Sequence, residues 1–222
     1  MLTTSLKSNH HLMNYRILPV TPLQQNCSLI WDEQSMEGAL IDPGGDVEHL
    51  LALAKQAGVT LTKLLLTHGH VDHVSGAPEI SRQLGIPIEG PLQEDAFLFQ
   101  LLPEQAVMFG CPHSDPFLPD RWLHDGMIVT VGTIELQVIH TPGHTPGHVV
   151  FFEPQTRTAF VGDVLFNGAI GRTDLPRGDY TTLIASITER LLPLGDDVTF
   201  VPGHGPLSTF GEQRRSNPFL TG

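Results

Sequence analysis

Short apolar runs alternate with polar, turn-forming segments along most of the chain. Residues 26–32 (NCSLIWD) and 38–45 (GALIDPGG) are two such runs, and the polar turn between them predicts an antiparallel pair of strands. Residues 46–58 (DVEHLLALAKQAG) have apolar positions at helical spacing and end in a glycine, which predicts a helix. A buried strand is predicted at 61–69, and residues 91–125 predict a helix followed by an irregular segment.

The second half of the chain repeats this order of elements. Residues 127–144 predict a hairpin, 148–154 and 158–166 predict strands, 180–194 predict a helix, and 197–205 predict a last strand. Each half therefore has an antiparallel pair, then a helix, then a strand that ends in a histidine-containing turn. The pattern predicts an α/β fold of two similar β-rich halves with helices outside. It also places the ends of both half-sheets at one shared edge.

Composition restricts the partners and the compartment. The 222 residues suffice for a full core, and the net charge is -12 with only 12 Lys and Arg residues. Nucleic acid and anionic membranes are therefore poor partners, and no segment is apolar enough to span a bilayer. Cys27 and Cys111 do not make a disulfide framework, so we expect a reduced, cytoplasmic setting.

The first residues differ from the rest of the chain. Residues 1–12 contain one lysine but lack the continuous apolar core of a signal peptide. We interpret them as a disordered extension that precedes a single domain at 13–222. A monomer or a small homo-oligomer is expected.

One buried-looking apolar run ends in a dense polar cluster, His68-Gly69-His70-Val71-Asp72-His73, with the pattern H-x-H-x-D-H. Imidazoles and carboxylates are costly to gather at the edge of a core unless something pairs with them. Three further residues follow strand-like runs in glycine-rich turns, where a side chain can point outward: His144, Asp163 and His204. Their recurrence indicates a metal centre rather than a chance cluster.

The residue types indicate which ions such a centre would hold. Imidazole and carboxylate suit divalent zinc and also tolerate iron or manganese. Seven ligands are too many for one tetrahedral ion but fit two ions that share a carboxylate. Two ions about 3.5–4 Å apart can hold a water between them and make it a nucleophile at neutral pH.

The motif and the later His, Asp and His resemble the metallo-β-lactamase superfamily, and its compact bacterial glyoxalase II-like hydrolases most of all. The resemblance covers residues 13–222 and implies a four-layer αββα sandwich with the metals at the edge of the two sheets. It also implies the ligands of each ion. The first ion would be held by His68, His70 and His144, the second by Asp72, His73 and His204, with Asp163 bridging the two.

The activity that this resemblance implies is hydrolysis of S-lactoylglutathione or a related small anionic thioester. Asp72 and Asp163 would be the catalytic carboxylates, with Asp163 fixing the spacing of the ions and Asp72 orienting the hydroxide. Typical glyoxalase II enzymes continue into a helical C-terminal domain that binds glutathione. Only 18 residues follow His204 here, so we expect the hydrolytic core without that domain.

Other members of the superfamily offer alternative functions. True β-lactamases usually lack the bridging aspartate, flavodiiron reductases carry Glu at the position of His70, and the ribonucleases add basic surface and insertions. The main rival is a persulfide dioxygenase, which this chain resembles around GRTD (171–174). That enzyme uses one iron on residues equivalent to His68, His144 and Asp163. A metal-binding protein without turnover is the third alternative.

Four further residues are candidates for supporting roles. Arg172 and Arg177 are candidates for binding an anionic substrate group, and the alternative is that Arg172 pairs with Asp174 as part of the fold. His140 and His148 flank His144 and are candidates for orienting a ligand, with a satisfied core histidine as the alternative.

Overall fold

A computed structural model describes residues 12–221, so the predicted extension at 1–12 lies, except for Leu12, outside the described residues. The first sheet has five strands in the order β1-β2-β3-β4-β5. They are β1 (Met13–Val20), β2 (Gln25–Asp32), β3 (Glu37–Ile41), β4 (Thr60–Leu65) and β5 (Ile88–Glu89). The β1–β2 and β2–β3 pairs are antiparallel, whereas β3–β4 and β4–β5 are parallel. The predicted antiparallel pair at 26–45 is thus confirmed.

The second sheet has six strands and is also mixed. Its strands are β6 (Ile128–Val131), β7 (Ile134–His140), β8 (Val149–Glu153), β9 (Thr158–Gly162), β12 (Thr199–Pro202) and β13 (Ser208–Thr209). They lie in the order β13-β12-β9-β8-β7-β6, and only β12 and β9 are parallel. A separate two-stranded ribbon pairs β10 (Leu165–Phe166) with β11 (Ala169–Ile170).

Seven α-helices accompany the sheets within residues 12–221: α1 (Val47–Ala57), α2 (Val71–Val74), α3 (Ala77–Leu84), α4 (Ala96–Gln100), α5 (Leu102–Phe109), α6 (Tyr180–Ala185) and α7 (Phe210–Ser216). The predicted helix at 46–58 is α1, and Gly58 ends it in the left-handed conformation, with φ 70°. In the described part of the chain, no helix is long and apolar enough to cross a membrane.

Three apolar clusters define four layers. Successive strand residues face opposite sides, as strand geometry requires, so Leu29 packs towards α1 and α3 while Ile30 packs between the sheets. In the second sheet, Phe151 packs between the sheets while Phe152 packs towards α6 and α7. The predicted αββα sandwich is therefore confirmed.

The strand ends meet at one edge, as the repeat predicted. Strands β3 and β4 lead into Asp42 and His68, whereas β9 and β12 of the other sheet lead into Asp163 and His204. Aspartate and histidine side chains from both sheets therefore lie at the same edge.

Several elements differ from the predicted ones. The pattern did not predict β1, α2 or α7. The helix predicted after residue 91 is split into α4 and α5, because Pro103 lacks the N–H that a continuous helix would need there. The helix predicted at 180–194 is α6 followed by a π-helical turn (Ser186–Leu191) and a 3-10 turn (Leu192–Leu194).

Candidate metal centre

All seven predicted metal ligands lie together at the shared edge of the two sheets. The loop after β4 carries His68 and His70, and the single turn of α2 carries Asp72 and His73. The second sheet supplies the other three from loops that follow β7, β9 and β12, namely His144, Asp163 and His204. Six of the seven form two compact groups, one of His68, His70 and His144 and the other of Asp72, His73 and His204, and a third group joins Asp42 to His68 and His73.

The first group consists of three buried imidazoles. His68 Nε2 and His144 Nε2 each lie 3.0 Å from His70 Nδ1. His68 and His144 are 0% and 2% exposed, so water cannot satisfy their inward nitrogens. Three ring nitrogens therefore converge on one point.

Hydrogen bonds on the far side of the rings decide which nitrogen carries the proton. Thr67 Oγ1 donates to Asp42 Oδ2, so it accepts from His68 Nδ1, and the carbonyl of Arg172 accepts from His144 Nδ1. The inward Nε2 atoms of both rings therefore present lone pairs towards His70. One proton on His70 Nδ1 can serve only one of them, whereas a cation can bind all three.

The second group combines imidazoles with carboxylates. Asp72 Oδ2 lies 3.2 Å from His204 Nε2 and 3.8 Å from His73 Nε2. His73 Nδ1 donates to Asp42 Oδ2 and His204 Nδ1 donates to the Leu23 carbonyl, so both Nε2 atoms again face inward.

Asp163 lies between the two groups. Its Oδ1 is 3.4 Å from His73 Nε2, and its Oδ2 is 3.7 Å from both His144 Nε2 and His204 Nε2. This is the position in which one carboxylate can face two ions.

Two orphaned atoms test whether the site fits a metal. Within the described residues, His73 Nε2 and Asp163 Oδ1 are buried and have no hydrogen-bond partner. Such buried groups are costly unless a further group satisfies them. Within each group the ligand atoms all lie within 4.8 Å of one another, and the pairs given above are 3.0–3.8 Å apart, which suits donors that share a divalent ion at about 2.0–2.2 Å. The residues present therefore fit two cations.

Burial and neighbouring charges set the protonation states. Burial and the adjacent imidazoles lower the pKa of His68 well below its ordinary value, and burial together with His144 lowers the pKa of His70 to about 3. Burial by itself raises the pKa of Asp163, but the charges of His73 and His144 outweigh it and lower the pKa. Burial lowers the pKa of His73 and His204, but the carboxylates Asp163 and Asp72 outweigh it and raise the pKa of both imidazoles. Metal ions bound here would displace those protons, because neutral imidazoles and ionised carboxylates are the forms that bind metal ions.

Asp42 supports the site and was not predicted as a functional residue. It adopts φ 52°, which is unusual for a residue other than glycine, and its buried carboxylate accepts from Thr67 N, Thr67 Oγ1 and His73 Nδ1. The only signal in the sequence is that Asp42 follows the second strand of the first half, as Asp163 follows the second strand of its own half.

Gly203 permits the close packing of the ligands. A Cβ at this position would overlap Asp163 Oδ1 and lie 2.7 Å from His73 Cε1. Only glycine therefore lets the β12 loop approach the two ligands as it does.

The candidate supporting residues have different surroundings. His148 is fully buried, and its Nε2 accepts from the Asp163 N–H at 3.1 Å, while its ring stacks on His68. His140 Nε2 donates to the Pro146 carbonyl at 2.8 Å, so it holds the loop that carries His144. The ligand-orienting role stays a prediction for both.

The two arginines lie at the surface. Arg172 pairs with Asp174 through two contacts of 2.7 Å, which is the alternative that the sequence left open. The guanidinium carbon of Arg177 lies 4.1 Å from the centre of the Phe97 ring. Substrate binding by either stays a prediction.

A cavity of about 500 Å³ reaches one of the candidate ligands, Asp72. Asp72 forms part of its wall, and the rest comes mainly from residues 44–49 and 111–113. The volume lies in the range of small-molecule binding sites.

The chain belongs to the metallo-β-lactamase superfamily, since the model of that family matches residues 20–204. It is 52% identical over 209 residues to hydroxyacylglutathione hydrolase GloC of Haemophilus influenzae, covering 94% of this chain and 98% of the relative. The structure of TTHA1623 in a di-iron-bound form is 40% identical, with a TM-score of 0.84 and coverage of 92% of this chain and 100% of that one. The structure of BLEG-1 B3 metallo-β-lactamase is 36% identical, with a TM-score of 0.87 and coverage of 94% and 100%.

Proposed function

We propose that this protein is a dinuclear metal-dependent thioesterase that hydrolyses S-lactoylglutathione or a related small thioester. The observation that carries the proposal is the position of Asp163, whose two oxygens face ligands of both groups. The similarity to a hydroxyacylglutathione hydrolase along nearly the whole of both chains supports the thioester as substrate.

The ligand sets follow the two groups of side chains. We assign one ion to His68, His70 and His144, the other to Asp72, His73 and His204, and the bridging position to Asp163. Zinc is the proposed metal, because imidazole and carboxylate are typical zinc ligands, and iron or manganese would fit the same donors. The di-iron form of the similar structure makes iron the first alternative to test.

The chemistry divides between the ions and the residues of the chain. Two divalent ions bound here would polarise the thioester carbonyl and supply a hydroxide nucleophile at neutral pH. Asp163 holds the two ligand groups at a fixed separation. Burial raises the pKa of Asp72, but His73 and His204 outweigh this effect and lower it, so its carboxylate is ionised and accepts a hydrogen bond from the attacking water. The departing thiolate is a stable anion and needs no strong general acid.

The persulfide dioxygenase remains the rival to exclude. It would use only His68, His144 and Asp163 for its iron but shares much of the rest of the motif, so the ligands by themselves do not separate the two activities. The 52% identity to a hydroxyacylglutathione hydrolase along nearly the whole chain favours the hydrolase. We place the enzyme in the cytoplasm, as a monomer or small homo-oligomer.

Metal analysis of protein purified without added metal, run beside thioester and oxygen-consumption assays, tests the proposal. We expect about two ions per chain and release of thiol from S-lactoylglutathione. One iron per chain, with oxygen consumed on glutathione persulfide and no thioester cleavage, would establish the dioxygenase instead.

A variant of the bridging carboxylate adds a second test. Asp163→Asn should lower metal content and activity together, because the amide cannot carry the negative charge that two cations share. Asp115→Asn makes the same chemical change on a side chain that is 90% exposed, and should retain both. Full metal content and a normal rate in Asp163→Asn would remove Asp163 from the bridging role.

A further inference from the structure

Asp95 is a fully buried carboxylate that none of the proposed catalytic steps uses. It ends the 3-10 turn Gln93–Asp95, directly before α4. Its Oδ2 accepts from Gly69 N at 3.1 Å and from Thr145 Oγ1 at 2.8 Å, and its Oδ1 accepts from Gly147 N at 2.6 Å. One carboxylate therefore takes three hydrogen bonds from two separate loops.

The two loops are those that carry the first group of histidines. Gly69 lies between His68 and His70, in the loop that follows β4 of the first sheet. Thr145 follows His144, in the loop between β7 and β8 of the second sheet. Asp95 is therefore bonded beside all three ligands and joins the parts that the two sheets contribute.

The backbone around Asp95 adds a close fit on both sides. Leu92 N donates to the Gly147 carbonyl at 3.0 Å, and a Cβ at Gly147 would lie 2.7 Å from Asp95 N. A Cβ at Gly69 would lie 2.8 Å from Leu98 Cβ. The segment 92–98 thus packs so closely against both loops that a side chain at Gly69 or Gly147 would clash with it.

The chemistry of these contacts requires a carboxylate. Two of the three donors are backbone N–H groups, which cannot accept, and an ionised carboxyl group accepts all three hydrogen bonds without an O–H that needs an acceptor of its own. Burial raises the pKa of Asp95 to about 6, which still leaves the group mainly ionised at neutral pH. Its three hydrogen-bond partners are neutral, so hydrogen bonds and not an ion pair stabilise its negative charge.

We infer that Asp95 is a positioning residue that fixes the loop of His68 and His70 against the loop of His144, so that the three imidazoles converge on the first ion. The inference rests on the metal centre proposed above. Residues that orient metal ligands typically change metal affinity by about 10–100-fold when they are replaced. Asp95 acts through the backbone of the ligand loops, so we expect the lower end of that range.

The test measures the two ion sites separately. In a His204→Ala background the second group lacks a ligand, and in a His70→Ala background the first group does. Zinc affinity of the metal-free protein is measured in each background by competition with a chromophoric chelator, with and without Asp95→Asn. The amide must direct its NH₂ group at one of the donors, so we expect about tenfold weaker binding in the His204→Ala background. Binding in the His70→Ala background should change less than twofold.

Other outcomes have distinct meanings. Equal affinity with and without Asp95→Asn in the His204→Ala background overturns the inference. Equal weakening in both backgrounds, together with a lower melting temperature of the metal-free protein, assigns Asp95 a structural role only and also overturns it. Absence of zinc binding in either background when Asp95 is intact contradicts the proposed metal centre instead.

A milder pair of variants keeps the test decisive if Asp95→Asn does not fold. Thr145→Val removes one of the three donors while preserving the shape of the side chain, and Thr145→Ser retains the hydroxyl. We expect Thr145→Val to weaken first-site binding and Thr145→Ser to restore it. If Thr145→Val binds zinc as tightly as Thr145→Ser, the hydrogen bond does not position the loop and the inference fails.

Discussion

Replacing Asp42 by asparagine should force His73 into the wrong tautomer for metal binding. Asp42 Oδ1 accepts from the backbone N–H of Thr67 at 2.7 Å, and that partner can only donate, so the asparagine oxygen must take this position. The amide nitrogen then replaces Oδ2, which lies 2.9 Å from His73 Nδ1. An N–H that points at Nδ1 moves the imidazole proton to Nε2, the atom that faces the second group of ligands.

The size of the effect follows from the hydrogen bonds involved. To bind an ion through Nε2, His73 must carry its proton on Nδ1. In the variant that N–H then faces the N–H of the asparagine amide instead of a carboxylate oxygen. That change loses a hydrogen bond to a charged group, about 1.5–3 kcal/mol, and leaves a buried donor unsatisfied, about 1–3 kcal/mol. The two effects add to about 2.5–6 kcal/mol, and the lower end of that range corresponds to a reduction of about 100-fold in affinity for the second ion.

Zinc titration of metal-free protein with a competing chelator measures this affinity, and ¹⁵N NMR of the histidine side chains reports the tautomer of His73. Asp115→Asn, an exposed change of the same kind, is the matched control. Unchanged affinity for the second ion, with the proton of His73 still on Nδ1, would refute the reasoning.

Two further predictions concern packing and pH. Gly203→Ala should fold but retain little metal, because the new Cβ overlaps Asp163 Oδ1. Circular dichroism checks the fold and metal analysis checks the metal content, and a normal metal content would contradict the prediction. Asp32→Ala should lower the free energy of unfolding by about 2–3 kcal/mol, because the buried carboxylate accepts from Gln34, Ser35 and Thr133. Burial opposes ionisation of Asp32, but these hydrogen bonds lower its pKa from 3.8 to about 2, so its stabilisation is present above pH 3.8 and is lost as the pH falls through about 2. Urea titrations at several pH values test the size and the pH dependence of the Asp32 effect. The free energies of unfolding of wild type and Asp32→Ala should converge in acid, and a difference that stays constant with pH would count against the ionised carboxylate.

The two β-rich halves with outer helices could be predicted from the repeated order of elements, and the four layers from the resemblance of the histidine motif to a known superfamily. Strand β8 is buried at every position and still divides its side chains between two apolar clusters. Strand β1 gave no such signal, since it lies at the edge of the first sheet, mixes exposed and half-buried positions, and contains Pro19. Edge strands are specified by pairing with their neighbour, which the local sequence does not reveal.

The shared position of the seven candidate ligands could be predicted because they lie in turns at the ends of strands and bear metal-binding chemistry; their role as ligands stays a prediction. Asp42 and Asp95 could not be assigned roles, because their partners are distant in sequence. Asp42 contacts His73 across 31 positions, and Asp95 contacts Gly147 across 52. Only the folded chain shows that Asp42 bonds to the imidazole of His73 and that Asp95 bonds to the loops of His68, His70 and His144.

The most direct test of the central claim is a titration of metal-stripped protein with zinc, following thiol release from S-lactoylglutathione at each addition. We predict that activity rises until about two equivalents are bound and that Asp163→Asn shows no such rise. Activity that is complete at one equivalent, or absent at two with both ions bound, would contradict a dinuclear thioesterase.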